Sequence, residues 1–182
     1  RQGEVRGMRW DEIDVKKALW TIPPSRMKAG KEHIVPLSHR CISIIKRLPK
    51  RSDSPFVFAA PRAGQLSDGT IGKVIRAINK TERSCGRTGF VDRDQNNRDI
   101  VPHGFRSTFR DWAAETTAYA REVIEHCLAH QLKDKSEACY QRKTSLPKRT
   151  KLMTLYGQYC SHVVNSDETV IRPIRKTKTK TN

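Results

Sequence analysis

Over most of this chain the apolar residues recur at helical spacing, and only one long stretch, residues 13–37, abandons that spacing for short runs around a glycine turn. The stretch carries Ala18, Leu19, Trp20, Thr21 and Ile22, then Pro23-Pro24, the turn Lys28-Ala29-Gly30-Lys31, and the run His33-Ile34-Val35-Pro36-Leu37. Extended runs separated by a Gly turn predict a small antiparallel sheet. Around it the period returns to that of a helix. Val5, Met8 and Trp10 read as the tail of one helix, and Ser38 caps a second through Ile42, Ile44, Ile45 and Leu48 that stops near Pro49. Ser67 precedes a third with Ile71, Val74, Ile75 and Ile78. From His103 onward the helical signal is nearly continuous: Phe105, Phe109, Trp112 and Ala113, then Val123, Ile124, Cys127 and Leu128, then residues 146–164 with Leu152, Met153, Leu155, Tyr156 and Tyr159. The run Phe56-Val57-Phe58-Ala59 is expected to be buried and extended, and the polar residues 79–100 are expected to be a loop. These patterns predict an α+β, mainly helical fold in which a small three-stranded antiparallel sheet packs on a helical bundle, within a single core domain of residues 1–164. Residues 165–182, ending in alternating Lys and Thr, lack the apolar surface to offset ordering entropy and are expected to form a disordered basic tail.

Charge narrows the choice of partner. Thirty-six Lys and Arg against 19 Asp and Glu leave a net charge of +17 among 182 residues, an excess that repels itself unless a polyanion is near. The basic residues are spread through globular sequence rather than gathered on one amphipathic helix, which favours nucleic acid over a membrane surface. No apolar run approaches the roughly 18 residues that span a bilayer, and no signal-peptide pattern opens the chain, so a cytoplasmic protein without membrane contact is expected. Five cysteines without a C-x-x-C pair encode neither a disulfide framework nor a finger-type zinc site. His126 and His130 lie one helical turn apart beside Cys127, but no further ligands are evident, so no metal or other cofactor is expected.

Several residues have the chemistry to break a phosphodiester without metal, which needs a nucleophile, cations on the non-bridging oxygens and an acid for the leaving oxygen. His103 and Arg106 stand three apart at a helix start, on one face, where the helix dipole adds positive charge. H-x-x-R alone is weak evidence in a chain so rich in arginine. His130 ends an apolar helix, and Tyr140 follows ten positions later, although an isolated tyrosine is more often half-buried packing.

Taken together, Arg1-Gln2-Gly3-Glu4, Lys28 after Met27, His103-x-x-Arg106, Leu128-Ala129-His130 and Ala138-Cys139-Tyr140-Gln141-Arg142 occur in an order and with gaps that resemble the catalytic domain of the tyrosine recombinases. The similarity is greatest to prophage and genomic-island integrases and extends from Arg1 to about Val164. The resemblance implies site-specific DNA integration and excision, by metal- and ATP-independent cleavage and rejoining through a 3′-phosphotyrosine. It assigns Arg1 and Arg106 as a guanidinium pair on the scissile phosphate, Lys28 as the acid that protonates the departing 5′ oxygen, and Tyr140 as the nucleophile. His103 would take or share the proton of the nucleophile and His130 would hydrogen-bond a phosphate oxygen. Glu4 matches an acidic position that orients basic groups, or is a plain surface carboxylate. The implied partners are double-stranded DNA attachment sites and, in the full-length protein, three further copies in a tetramer. The family carries a separate N-terminal core-binding domain, and a chain opening without Met is expected to be a piece lacking it.

Three choices stay open at this level. Lys31 rivals Lys28 in the same turn. Tyr156 and Tyr159 rival Tyr140, although they fall on the helical face of Leu152, Met153 and Leu155, where packing explains them. Cys139 stands where the family usually has a small residue, and Pro147 interrupts a region that is often helical. A non-catalytic DNA-binding remnant and a type IB topoisomerase-like enzyme are the alternative functions.

Overall fold

The computed structural model describes residues 1–130 and 145–162, so Tyr140, Cys139 and the tail expected at 165–182 lie outside the described residues. Strands β1 (Ile13–Asp14), β2 (Leu19–Ile22) and β3 (His33–Pro36) form the expected antiparallel sheet in the order β1-β2-β3. In β2 burial alternates, with Trp20 and Ile22 buried and Leu19 and Thr21 half-buried, which is the period-two signature of a strand with one covered face. The helices are α1 (Gln2–Arg6), α2 (His39–Arg47), α3 (Thr70–Ser84), α4 (Gly104–Thr116), α5 (Arg121–Cys127) and α6 (Leu146–Tyr159). Ser38 caps α2 as expected, its Oγ accepting from the Cys41 N–H at 3.3 Å. Pro147 sits in the first turn of α6, where a backbone N–H would have no helical partner, so it starts this helix rather than breaking it.

Two expectations change. Residues 79–100 are not a plain loop: α3 runs on to Ser84, and β4 (Val91–Asp92) pairs antiparallel with β5 (Arg98–Asp99). The reason is Asn79, which is almost fully buried and bonds both backbone groups of Phe90, donating from Nδ2 to the carbonyl at 3.0 Å and accepting the N–H at 2.8 Å on Oδ1. One side chain thus closes the excursion without apolar periodicity, while Asn96 and Asn97, both at positive φ, turn the hairpin. The run Phe56–Ala59 supplies only two isolated bridges, Arg9 with Phe56 and Ala59 with Gln65, although Val57 is buried as expected.

The chain folds as two compact units. The first comprises Arg1–Ile13, Thr21–Glu32 and Leu48–Thr108; the second comprises Asp14–Trp20, His33–Arg47 and the described residues from Phe109 on. In the first, Met8, Ile22, Met27 and Val57 are buried, and the buried Arg6 donates to the Leu66 carbonyl and to Asp68. In the second, Phe109, Trp112 and Ala113 of α4 cluster with Val123 and Ile124 of α5, with Leu128, and with Leu152 of α6. The edge of the Tyr156 ring meets Phe109 at 5.0 Å and 81°, and Tyr159 stacks on Trp112 at 5.4 Å. Buried Arg149 of α6 donates to the Ile34 carbonyl on β3 and hydrogen-bonds the Cys127 thiol at the end of α5. One side chain therefore holds three elements of this unit together.

Candidate functional site

Arg1 precedes the first turn of α1, and its Nη1 lies 2.8 Å from Glu4 Oε1. Partial burial pushes the Glu4 carboxyl up, while the Arg1 guanidinium bonded to it pulls the other way. Glu4 thus fixes one face of the Arg1 guanidinium and leaves the rest of its fork to meet an anion.

Lys28 follows the buried Met27 in the turn between β2 and β3, which closes with the Gly30 N–H donating to the Met27 carbonyl at 2.9 Å. Gly30 adopts φ +62, a left-handed conformation that glycine takes without steric penalty. The turn leaves the Lys28 side chain exposed; Lys31, just beyond it, is exposed as well. Two residues before Lys28, Arg26 donates to Glu12 and, through Nη2, to the Glu4 carbonyl at 2.6 Å. Arg26 thereby ties the Lys28 turn to the helix that carries Arg1 and Glu4. Gly7 permits this approach, since a Cβ there would lie 3.0 Å from Arg26 Nη2. Sequence reading missed Arg26 and Glu12, because nothing in their spacing marks a pair fourteen residues apart.

His103 immediately precedes α4, and its carbonyl accepts from the Arg106 N–H at 3.1 Å. His103 is exposed and Arg106 half-buried, both on the first turn of a helix whose N-terminal dipole favours an anion. Arg1, Lys28, His103 and Arg106 all belong to the first unit; His130 belongs to the second. Tyr140 lies outside the described residues.

His130 follows a C-terminal turn of defined geometry. Helix α5 ends at Cys127, Ala129 takes a left-handed φ of +52, and the N–H groups of Ala129 and His130 donate to the carbonyls of His126 and Glu125 at 3.2 and 3.0 Å. This pairing is the Schellman arrangement, with alanine where glycine is favoured. It places the His130 ring over Glu125, whose Oε2 is 2.5 Å from Nδ1. Glu125 is buried, and Arg110 Nε holds its other oxygen at 3.2 Å. Glu125 and Arg110 were also missed: a carboxylate five positions before a histidine is not on its helical face, and only the left-handed residue between them brings the two together.

Tyr156 and Tyr159 both pack against Trp112, Tyr159 with 44% of its surface exposed. Burial pushes the Tyr156 phenol well above its ordinary range, and its ring packs against both Phe109 and Trp112. Among the described residues no helix is long and apolar enough to cross a membrane.

Comparison with known proteins places these features. The sequence model of the Phage integrase family matches residues 1–146. The integrase of Enterobacteria phage P4 is 27% identical over 175 residues, an alignment covering 87% of this chain and 37% of that protein. Prophage integrase IntA of Escherichia coli (strain K12) is 29% identical over 157 residues, covering 84% and 34% respectively. The chain thus spans little more than a third of the length of these relatives. In fold it is similar to the XerA recombinase structure, with a TM-score of 0.50 at 16% identity over 91% of this chain and 52% of that one. With the family match running from Arg1 past Lys28, His103, Arg106 and His130, the chain belongs to the phage integrase family.

Proposed function

We propose that this chain is the catalytic part of an enzyme for site-specific DNA recombination that cleaves and rejoins double-stranded attachment sites, as the names of its relatives suggest. The observation that carries the reading is the contrast between two sets of basic side chains. Arg6 and Arg149 are buried and bonded within the fold, whereas Arg1, Lys28, His103 and His130 are exposed and Arg106 is half-buried at a helix start. The second set stands at the positions of the family motifs, with side chains that reach the surface where a phosphate could approach.

In this reading Arg1 and Arg106 clamp the non-bridging oxygens of the scissile phosphate, which guanidinium suits because its planar fork meets two oxygens at once. Tyr140 attacks phosphorus while His103 accepts its proton. Lys28 protonates the departing 5′ oxygen, a step open to an ammonium and closed to a guanidinium. His130 hydrogen-bonds a phosphate oxygen. The phosphotyrosine retains the energy of the broken ester, so a second 5′ hydroxyl can reverse the attack and join new strands without ATP. Tetramer formation on paired sites and residence in the cytoplasm belong to the same proposal.

The test incubates the protein with a nicked suicide duplex carrying the end sequences of the element that encodes it. A covalent adduct on a denaturing gel that is lost in Tyr140→Phe is the expected result. An adduct that survives this substitution overturns the assignment of the nucleophile. Relaxation of supercoiled plasmid without strand exchange would instead favour a topoisomerase-like activity, and DNA binding without an adduct in the full-length protein a non-catalytic remnant.

A further inference from the structure

We infer that Glu125 is a positioning residue for His130: it holds the Nδ1–H of the imidazole, so that the contact with the scissile phosphate is made by Nε2. The inference rests on the reading of His130 as a phosphate-binding group, and it deepens that reading.

Three observations converge on Glu125. Its Oε2 is 2.5 Å from His130 Nδ1. Its own backbone carbonyl accepts the His130 N–H at 3.0 Å, so one residue grips both the main chain and the ring of His130. Its second oxygen is held by Arg110 Nε at 3.2 Å, and its side chain is only 10% exposed, against 41% for that of His130. With one oxygen taken by the Arg110 guanidinium, the other faces Nδ1, and a carboxylate oxygen accepts hydrogen bonds. Nδ1 must therefore carry the hydrogen in the neutral ring as well as in the imidazolium.

Function follows from that choice. A second hydrogen-bond partner fixes which nitrogen of a histidine is protonated and how the ring is oriented. With Nδ1–H given to Glu125, an imidazolium at position 130 would stand between two anions, Glu125 at Nδ1 and a phosphate oxygen at Nε2–H. Without Glu125 the neutral ring would revert to the Nε2–H form that imidazole prefers in water, and the ring would be free to turn. The left-handed Ala129 is the local device that makes the arrangement possible, since a residue at positive φ is what turns the chain so that His130 lies over Glu125.

The first measurement is independent of activity: the ¹⁵N shifts of the His130 ring, assigned by comparison with His130→Gln. Wild type should show a protonated, pyrrole-type Nδ1 in the neutral ring; Glu125→Ala should move the ring to Nε2–H. In Glu125→Gln the amide oxygen can still accept from Nδ1–H, so that variant should keep the wild-type tautomer, and it decides the matter if Glu125→Ala does not fold. A neutral wild-type ring protonated at Nε2 overturns the inference.

The second measurement is covalent adduct formation by the full-length protein. Glu125→Ala should slow cleavage at least about tenfold at unchanged DNA affinity, and the double variant with His130→Ala should be no slower than His130→Ala alone. Losses that multiply would mean that Glu125 acts on the fold and not through His130, which also overturns the inference. Should the wild type form no adduct, the proposed function fails while the tautomer measurement still decides the role of Glu125.

Discussion

Gly157→Ala should destabilise the protein by driving a methyl group of α6 into the cap of α2. A Cβ at Gly157 would lie 2.4 Å from the Cβ of Ser38 and 2.6 Å from its Oγ, roughly 1 Å inside ordinary contact between carbon atoms. Ser38 has little freedom to move away. It is buried, its Oγ accepts from the Cys41 N–H at 3.3 Å, and its carbonyl accepts from the Ile42 N–H at 3.0 Å. Relief requires either a shift of packed helices, costing about 1–3 kcal/mol, or displacement of the cap, costing about 0.5–2 kcal/mol. Since both are partly engaged, the loss should come to roughly 2–4 kcal/mol. In a chain of this size that lowers the melting temperature by roughly 4–15 °C. Thermal melting followed by circular dichroism, with urea denaturation for the free energy, measures it. The double variant supplies the control: Ser38→Gly removes both clashing atoms and, because glycine is tolerated at an N-cap, costs only a few tenths of a kcal/mol alone. In the Gly157→Ala background it should restore most of the lost stability. A Gly157→Ala protein melting within about 1 °C of wild type, or losses that simply add in the double variant, would refute the reasoning.

If Lys28 protonates the 5′ oxygen, Lys28→Ala should form little adduct on ordinary DNA and regain it on a duplex with sulfur at the 5′ bridging position, because a thiolate departs without a proton. Lys31→Ala should cleave both substrates like wild type, and the reverse pattern would move the acid to Lys31. Burial pushes the Cys127 thiol up despite its bond from Arg149, whereas Cys85 is exposed; iodoacetamide at mildly alkaline pH should label Cys85 well before Cys127 by peptide mass spectrometry. Equal rates would show that Cys127 is not buried in solution.

Periodicity and order were enough for much of this protein. The short runs around the glycine turn Lys28-Ala29-Gly30-Lys31 marked the sheet, and Ser38 marked the start of α2, because turn chemistry and N-cap bonding are local properties of a few consecutive residues. His103-x-x-Arg106 could be placed on a helix start for the same reason. The motif order from Arg1 to Tyr140 pointed to the family, since chemistry that needs several unlike groups leaves a rare pattern along the chain. Only the tertiary structure could show that residues 79–100 are organised by Asn79, that Arg26 ties the Lys28 turn to α1, that Arg149 joins α6 to β3 and α5, and that Glu125 lies beneath His130. These are single polar side chains bonding partners five to 115 positions away. Their contacts have no period in the sequence and exist only once the backbone has been folded around them.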